Sequence, residues 1–311
     1  MMTTVVDSSD PEHPLSYTGQ VLASHTSDLQ SWTVLKTETD GEILMIDNQF
    51  QSSKLDEHMY HESLVHSLFV GLDSPETVLI LGGAEGCTVR EVFKWSTVKR
   101  VVQVDWDASL VSYFQTAGKG WNGDVYTDPR LEVYAQDALK WLEVCTESFD
   151  AIIVDLLDPR SATDAEFFKK LLKSCKRVMN VGGGLTVNMG TCAPGKNRVG
   201  AELLQWMRTE FLGQYVKRAA VRVNVPSFVD PWGFALVVPN LWSSRILHAD
   251  VPDGLLYFSK EKLFDTVQWP KHFDNEWRIF WKEERDGEES PKKLSVARPI
   301  EFAEDFGHYG C

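Results

Sequence analysis

The chain has 311 residues and carries 45 acidic against 31 basic side chains, a formal net charge of −14. That balance repels nucleic acid and anionic membrane, so neither is expected as a partner, and it favours cationic small molecules near an entrance. A hydrophobic share of 43% excludes a disordered chain, and the length allows one large domain or a large one with a small companion.

Met1 to Pro14 is polar and acidic, which reads as a disordered start without a signal peptide. From Tyr17 to Gln51 the pattern is β. Gln20–Ser24, Gln30–Leu35 and Glu42–Ile46 are strand candidates, with turns at Asp40-Gly41 and Asp47-Asn48. Asp56 to Phe69 reads as a helix with Met59, Leu64, Val65 and Leu68 on its apolar face, and Asp73–Glu76 as a domain boundary. The expected division is a disordered 1–15, an N-terminal β domain with its linking helix over 16–72, and a Rossmann-like domain over 73–311.

The second part opens on the most informative stretch. Thr77–Leu81 is an apolar run of strand length, broken by Gly82-Gly83-Ala84-Glu85-Gly86. Cys87–Lys94 has helical spacing, and Arg100–Val104 is a β-branched run ending at Asp105. Glycines let the backbone pass close to a ligand at the strand end, and an acid after the second strand suits the two hydroxyls of a ribose. Glu85 would repel a phosphate, so it argues against NAD or ATP and for a ligand with positive charge, such as a sulfonium nucleoside.

The alternation continues. Leu131–Ala135 is a strand running to Gln136-Asp137-Ala138, and Leu139–Cys145 a helix. Phe149–Val154 is the most apolar strand and leads into Asp155-Leu156-Leu157-Asp158-Pro159. Ala165–Met179 is expected as a helix ended by Gly182-Gly183-Gly184, Leu185–Asn188 as a strand and Ala201–Phe211 as a helix. Tyr215–Val225 and Trp232–Val238 suggest an antiparallel pair closing the sheet. The fold class is α/β: a mostly parallel seven-stranded sheet with helices on both faces, plus the small β domain. Glu85, Asp105, Asp137 and Asp155 with Asp158 all fall at strand ends, where such sheets bind ligands.

His58 and His61 stand one helical turn apart, but without a third ligand of suitable spacing no metal is expected. The five cysteines are odd in number and form no C-x-x-C pair, which fits a reducing, cytoplasmic compartment.

Three blocks in order resemble the spermidine synthase family of polyamine aminopropyltransferases: Ile46–Gln51 followed by Asp56–Glu62, Gly82–Gly86 with Arg90-Glu91-Val92, and Asp155–Pro159. A fourth, Val225–Phe234, is similar to the thermospermine synthase branch, as are Glu at position 85 and the form Asp-Leu-x-Asp-Pro. The resemblance spans roughly residues 17 to 260. It implies transfer of the aminopropyl group of decarboxylated S-adenosylmethionine to a di- or polyamine, releasing methylthioadenosine. A homodimer or homotetramer is expected. By matched position, Gly82 and Gly83 form the loop, Asp105 holds the ribose, and Asp137 with Ala138 the adenine. Gln30, Tyr60 and His61 line the nucleoside site. Glu85 sits by the aminopropyl end, Asp155 accepts the amine proton and Asp158 assists by raising its pKa. Gln51, Phe228 and Trp232 join Glu85 and the two aspartates around the amine. Two alternatives stay open: an S-adenosylmethionine-dependent amine N-methyltransferase on the same fold, and a non-catalytic polyamine- or nucleoside-binding relative. The chain departs from the family at Arg160–Asp164, at Met189–Pro194, at Ala84 and at Phe228; the altered loops should wall the amine side.

Overall fold

The computed structural model describes residues 2–9, 14–193, 196–211, 216–239 and 249–260, all within one compact unit that spans 1–270. Two sheets build it. The first is antiparallel, with β1 (Met2–Val6), β2 (Ser16–Thr26), β3 (Ser31–Thr37), β4 (Glu42–Ile46) and β5 (Gln49–Ser53) in sequence order. Asp47 and Asn48 both take positive φ, the conformation a two-residue hairpin between β4 and β5 demands.

The start of the chain differs from the expected disorder. Thr3-Thr4-Val5-Val6 is β-branched, and it pairs antiparallel with β2 from Met2↔Gln20 to Val6↔Ser16. Val5 packs on the cluster of Tyr17, Leu35, Ile43 and Met45. Local polarity concealed a strand whose stability comes from this distant partner.

The second sheet has seven strands in the order β11-β12-β10-β9-β6-β7-β8. Its members are β6 (Thr77–Gly82), β7 (Arg100–Asp105), β8 (Leu131–Ala135), β9 (Phe149–Asp155), β10 (Met179–Thr191), β11 (Val216–Val223) and β12 (Trp232–Pro239). β6 to β10 run parallel, while β12 is antiparallel to both β10 and β11. The helices are α1 (Glu57–Phe69), α2 (Cys87–Phe93), α3 (Ala108–Gln115), α4 (Ala138–Val144), α5 (Ala162–Arg177) and α6 (Arg198–Glu210). The connections leave β6 in opposite directions, so right-handed crossovers place α2 and α3 on one face and α4, α5 and α6 on the other. This reversal between β6 and β9 is the switch point where such sheets open a crevice.

Three further details depart from the sequence reading. α3 was not foreseen; its N-cap is Asp107, whose carboxylate accepts the backbone N–H groups of Ser109 and Leu110. The glycines 182–184 do not end α5, which stops at Arg177. They lie inside β10, where the register with β9 shifts between Met179 and Gly184. A Cβ at Gly184 would stand 2.8 Å from both Leu68 and the Val237 carbonyl, so glycine there permits close packing of strand and helix.

α1 carries no single apolar face: nearly every residue from Tyr60 to Phe69 is buried. It packs against α2 and beneath β9 to β12, so by its contacts it belongs with the α/β layer. Leu64, Val65 and Leu68 join Val78, Ile80, Ala151 and Ile153 in the main core. Most of its buried polar residues have a partner, Ser67 Oγ being an exception. Glu62, for one, accepts backbone N–H groups of Leu256, Tyr257 and Phe258, each at 2.8 Å.

Candidate active site

β6 ends in a loop that only glycine permits. Gly82 and Gly83 have φ of +89° and +68°, and a Cβ at Gly82 would fall 2.1 Å from the carbonyl oxygen of Asp155. Three distant side chains hold the loop in place. Gln103 on β7 donates to the carbonyls of Gly82 and Gly83, Tyr126 to that of Ala84 at 2.7 Å, and Asn122 to that of Glu85 at 2.9 Å. The loop therefore presents Glu85 on a rigid platform.

A cavity of about 530 Å³ opens over this loop and the C-terminal ends of β6, β7 and β9, with the first sheet as its other wall. Gln30, Tyr60, His61, Gly82, Gly83, Glu85, Asp105, Asp137 and Ala138 all line it. So do Gln51, Asp155, Asp158, Phe228 and Trp232. Gln30 and Trp232, 202 positions apart in sequence, meet in this one space.

At one end Asp105 is buried, its carboxylate accepting the Asp107 N–H at 2.9 Å. Burial pushes its pKa up to about 7, with the carboxylates of Glu85, Asp107 and Asp155 adding to the effect. Gln30 donates to Asp107 at 2.7 Å and accepts the Trp106 indole N–H at 3.2 Å, tying the first sheet to the end of β7. Asp137 is the N-cap of α4 and accepts the Lys140 N–H.

At the centre Asp155 is half-buried and accepts hydrogen bonds from the Tyr60 hydroxyl at 2.8 Å and the Thr88 hydroxyl. Its pKa is raised, chiefly by burial; Glu85 raises it further while His61 and the two hydroxyls oppose. His61 lies between two acids. Its Nδ1 is 2.8 Å from Glu57 and its Nε2 is 3.5 Å from Glu85. Burial pushes its pKa down, but hydrogen bonds and charge from Glu57 and Glu85 overcome this and lift it to about 10. The two acids thus favour the imidazolium form of His61. Glu57 is in turn held by both terminal nitrogens of Arg90 at 2.9 Å, a bidentate pair.

Towards the mouth, Asp158 accepts from Asn188 at 3.0 Å and pairs with Arg160 at 2.8 Å. Its charge is offset by Arg160, and the raised pKa of Asp155 comes from burial and Glu85. Asn188 also accepts the Trp232 indole N–H at 2.9 Å. Aromatic rings interleave with these acids: Phe228 lies 4.6 Å from Trp232, 5.8 Å from Tyr60 and 6.0 Å from Phe50. Asp56 fixes the Phe228 loop by accepting the N–H and hydroxyl of Ser227 at 2.7 and 2.8 Å.

Of His58 and His61, only His61 joins a cluster with metal-ligand atoms among the described residues, together with Glu57 and Cys87. Arg90 occupies that cluster, donating to both Glu57 oxygens and to Cys87 Sγ at 3.6 Å, and a cation is a poor neighbour for a metal. The sequence reading did not find Thr88, Asp56, Asn188 or Gln103. Each acts through a long-range contact that no local spacing announces.

The spermine/spermidine synthase domain matches residues 57–233. The chain belongs to the spermine/spermidine synthase family. Its relatives include the polyamine aminopropyltransferase of Aeropyrum pernix, 34% identical over 225 residues, covering 71% of this chain and 70% of the relative. That of Saccharolobus solfataricus is 33% identical over 247 residues, covering 77% and 80%. As a member of this family the protein is a transferase. The fold is also that of spermidine synthase from Thermotoga maritima, with a TM-score of 0.76 at 17% identity over 89% of this chain and 94% of the other. A spermidine synthase in complex with the transition state analogue AdoDATO superposes with a TM-score of 0.78 at 19% identity, covering 89% and 95%.

Proposed function

We propose that the protein transfers the aminopropyl group of decarboxylated S-adenosylmethionine to a di- or polyamine, and that its acceptor chemistry is of the thermospermine type. The observation that carries this reading is the half-buried Asp155 beside Glu85, in a cavity whose acids alternate with aromatic rings. Such a lining suits a flexible chain of methylenes and ammonium groups, since rings take the methylenes and acids the charges. In the proposed arrangement Asp105 accepts the ribose hydroxyls, Asp137 and Ala138 take the adenine, and Glu85 pairs with the donor ammonium.

Asp155 accepts a proton from the acceptor ammonium. The freed nitrogen lone pair attacks the aminopropyl carbon next to sulfur, and the C–S bond breaks with its electrons going to sulfur. The products are the alkylated amine and neutral methylthioadenosine. Because the sulfonium is already a good leaving group, the residues need only orient the amine and take its proton. The raised pKa of Asp155 brings it nearer to that of an alkylammonium than an ordinary aspartate stands. The four described cysteines are free and buried, in keeping with a reducing, cytoplasmic compartment, and no described helix is long and apolar enough to cross a membrane.

The test is incubation of purified protein with each sulfonium donor and a panel of amines, with products read by mass. An added aminopropyl unit with methylthioadenosine supports the reading. An added methyl group with S-adenosylhomocysteine would replace it by the N-methyltransferase.

A further inference from the structure

Arg160 stands beside the cavity rather than in its wall, yet it touches the acid at the cavity mouth. The loop that carries it is anchored. Its backbone N–H and that of Ser161 donate to the Asp164 carboxylate at 2.9 and 2.8 Å, and Ser161 with Asp164 form the capping box of α5. From that base the guanidinium reaches in two directions. One nitrogen donates to Asp158 Oδ2 at 2.8 Å, and another to the side-chain oxygen of Gln49 on β5 at 2.5 Å. Asn188 takes the other oxygen of Asp158. Both oxygens of the outer acid are thus engaged, one of them by a fixed cation. The Arg160 side chain is 37% exposed and that of Asp158 13%, so the pair marks the rim where an extended amine would leave the cavity.

We propose that Arg160 determines amine specificity: it offsets the charge of Asp158 and thereby limits how many positive charges an acceptor can place at the outer end of the cavity. The inference rests on the aminopropyl-transfer reading for its biological meaning, but its physical content is an order of amine affinities. A short diamine reaching only Asp155 and Glu85 feels Arg160 weakly. A tetramine that threads the mouth brings a further ammonium against the guanidinium and finds Asp158 already paired. Like charges about 7 Å apart at a partly screened rim discourage such binding by roughly tenfold.

The experiment is titration calorimetry of the whole protein with 1,4-diaminobutane, spermidine and spermine, on the parent chain and on Arg160→Gln, Arg160→Lys and Gln49→Ala. Arg160→Gln should raise the spermine-to-diaminobutane affinity ratio about tenfold, with spermidine between. Arg160→Lys keeps the charge and should stay near the parent ratio. Gln49→Ala loses the bridge across the mouth but not the charge, and should also leave the ratio unchanged. A ratio that Arg160→Gln does not move overturns the inference, as does Arg160→Lys behaving like the glutamine variant. So does a chain that binds none of the three amines before or after substitution. If the ratio moves as expected while the parent transfers no aminopropyl group to any amine, the proposed function fails and the role of Arg160 stands.

Discussion

Glu85 should decide which sulfonium donor binds, and the structure changes how strongly. Decarboxylated S-adenosylmethionine ends in an ammonium alone; the intact molecule adds a carboxylate at the same end. Placed about 4 Å from Glu85, that carboxylate would meet a repulsion of roughly 4 kcal/mol at an effective dielectric of 20, nearly three powers of ten. The imidazolium of His61, 3.5 Å behind Glu85, works the other way. At about 7 Å from the donor carboxylate it returns roughly 2.4 kcal/mol. The net is about 2 kcal/mol, so the decarboxylated donor should bind about 20–30-fold more tightly. Glu85→Gln removes the repulsion and leaves His61 held in charged form by Glu57, so the preference should reverse. Titration calorimetry with the two donors, on the parent and on this variant, reads both numbers. Equal affinity in the parent, or a preference for the intact donor, would refute the electrostatic reasoning and favour the methyltransferase.

Asp155→Asn should lower kcat by about 10²–10⁴-fold while donor affinity stays within a few-fold, and near-parental turnover would remove Asp155 from the proton transfer. Asp105, with its pKa pushed up to about 7, should couple nucleoside binding to pH, because the ribose hydroxyls prefer the ionised carboxylate. Donor affinity should fall about tenfold per pH unit below 7, and calorimetry in two buffers of different ionisation enthalpy should show proton release at pH 7; a flat affinity from about pH 5.5 to 8 would contradict this. The sign for stability is opposite: the folded, empty protein holds this proton more tightly than the unfolded chain, so the Asp105 contribution is lost as pH rises through about 7, and Asp105→Asn should raise Tm more at pH 8 than at pH 5. Asp56→Ala frees both Ser227 contacts and should raise the amine KM roughly tenfold with donor Kd unchanged, and a parallel loss of donor binding would show that the loop serves both substrates.

The parallel sheet and the strand-end acids were legible because both are local patterns. An apolar run cut by glycine or closed by an acid marks the end of a buried strand, as at Gly82, Asp105 and Asp155. What stayed hidden depends on partners far along the chain. β1 needs β2, and the glycines of β10 read as a helix stop until Leu68 and Val237 are seen against Gly184. The charge state of the site was hidden for the same reason. Spacing put His61 beside Glu57, but only folding brings Glu85 to its other nitrogen, and only the α5 cap aims Arg160 at Asp158.

The distribution of charge explains why the first sheet is needed at all. Asp105, Asp155 and Glu85 lie close enough to raise one another's cost of ionisation, and burial adds to it. A cavity of acids left open to water would be cheaper to fold but would hold a cationic chain only weakly, since solvent screens exposed pairs. Closing the first sheet over the strand ends, through Gln30 on Asp107 and Arg160 on Gln49, removes that screening. The protein then carries partly uncompensated carboxylates, relieved in part by His61 and Arg90, and the two cationic substrates of the proposed reaction would complete the compensation. In the proposed transfer the donor loses its sulfonium charge and, with the aminopropyl group, its ammonium, so the neutral nucleoside product keeps neither of the donor's charge pairs with the site. On this reading the same acids that bind the donor favour release of the product.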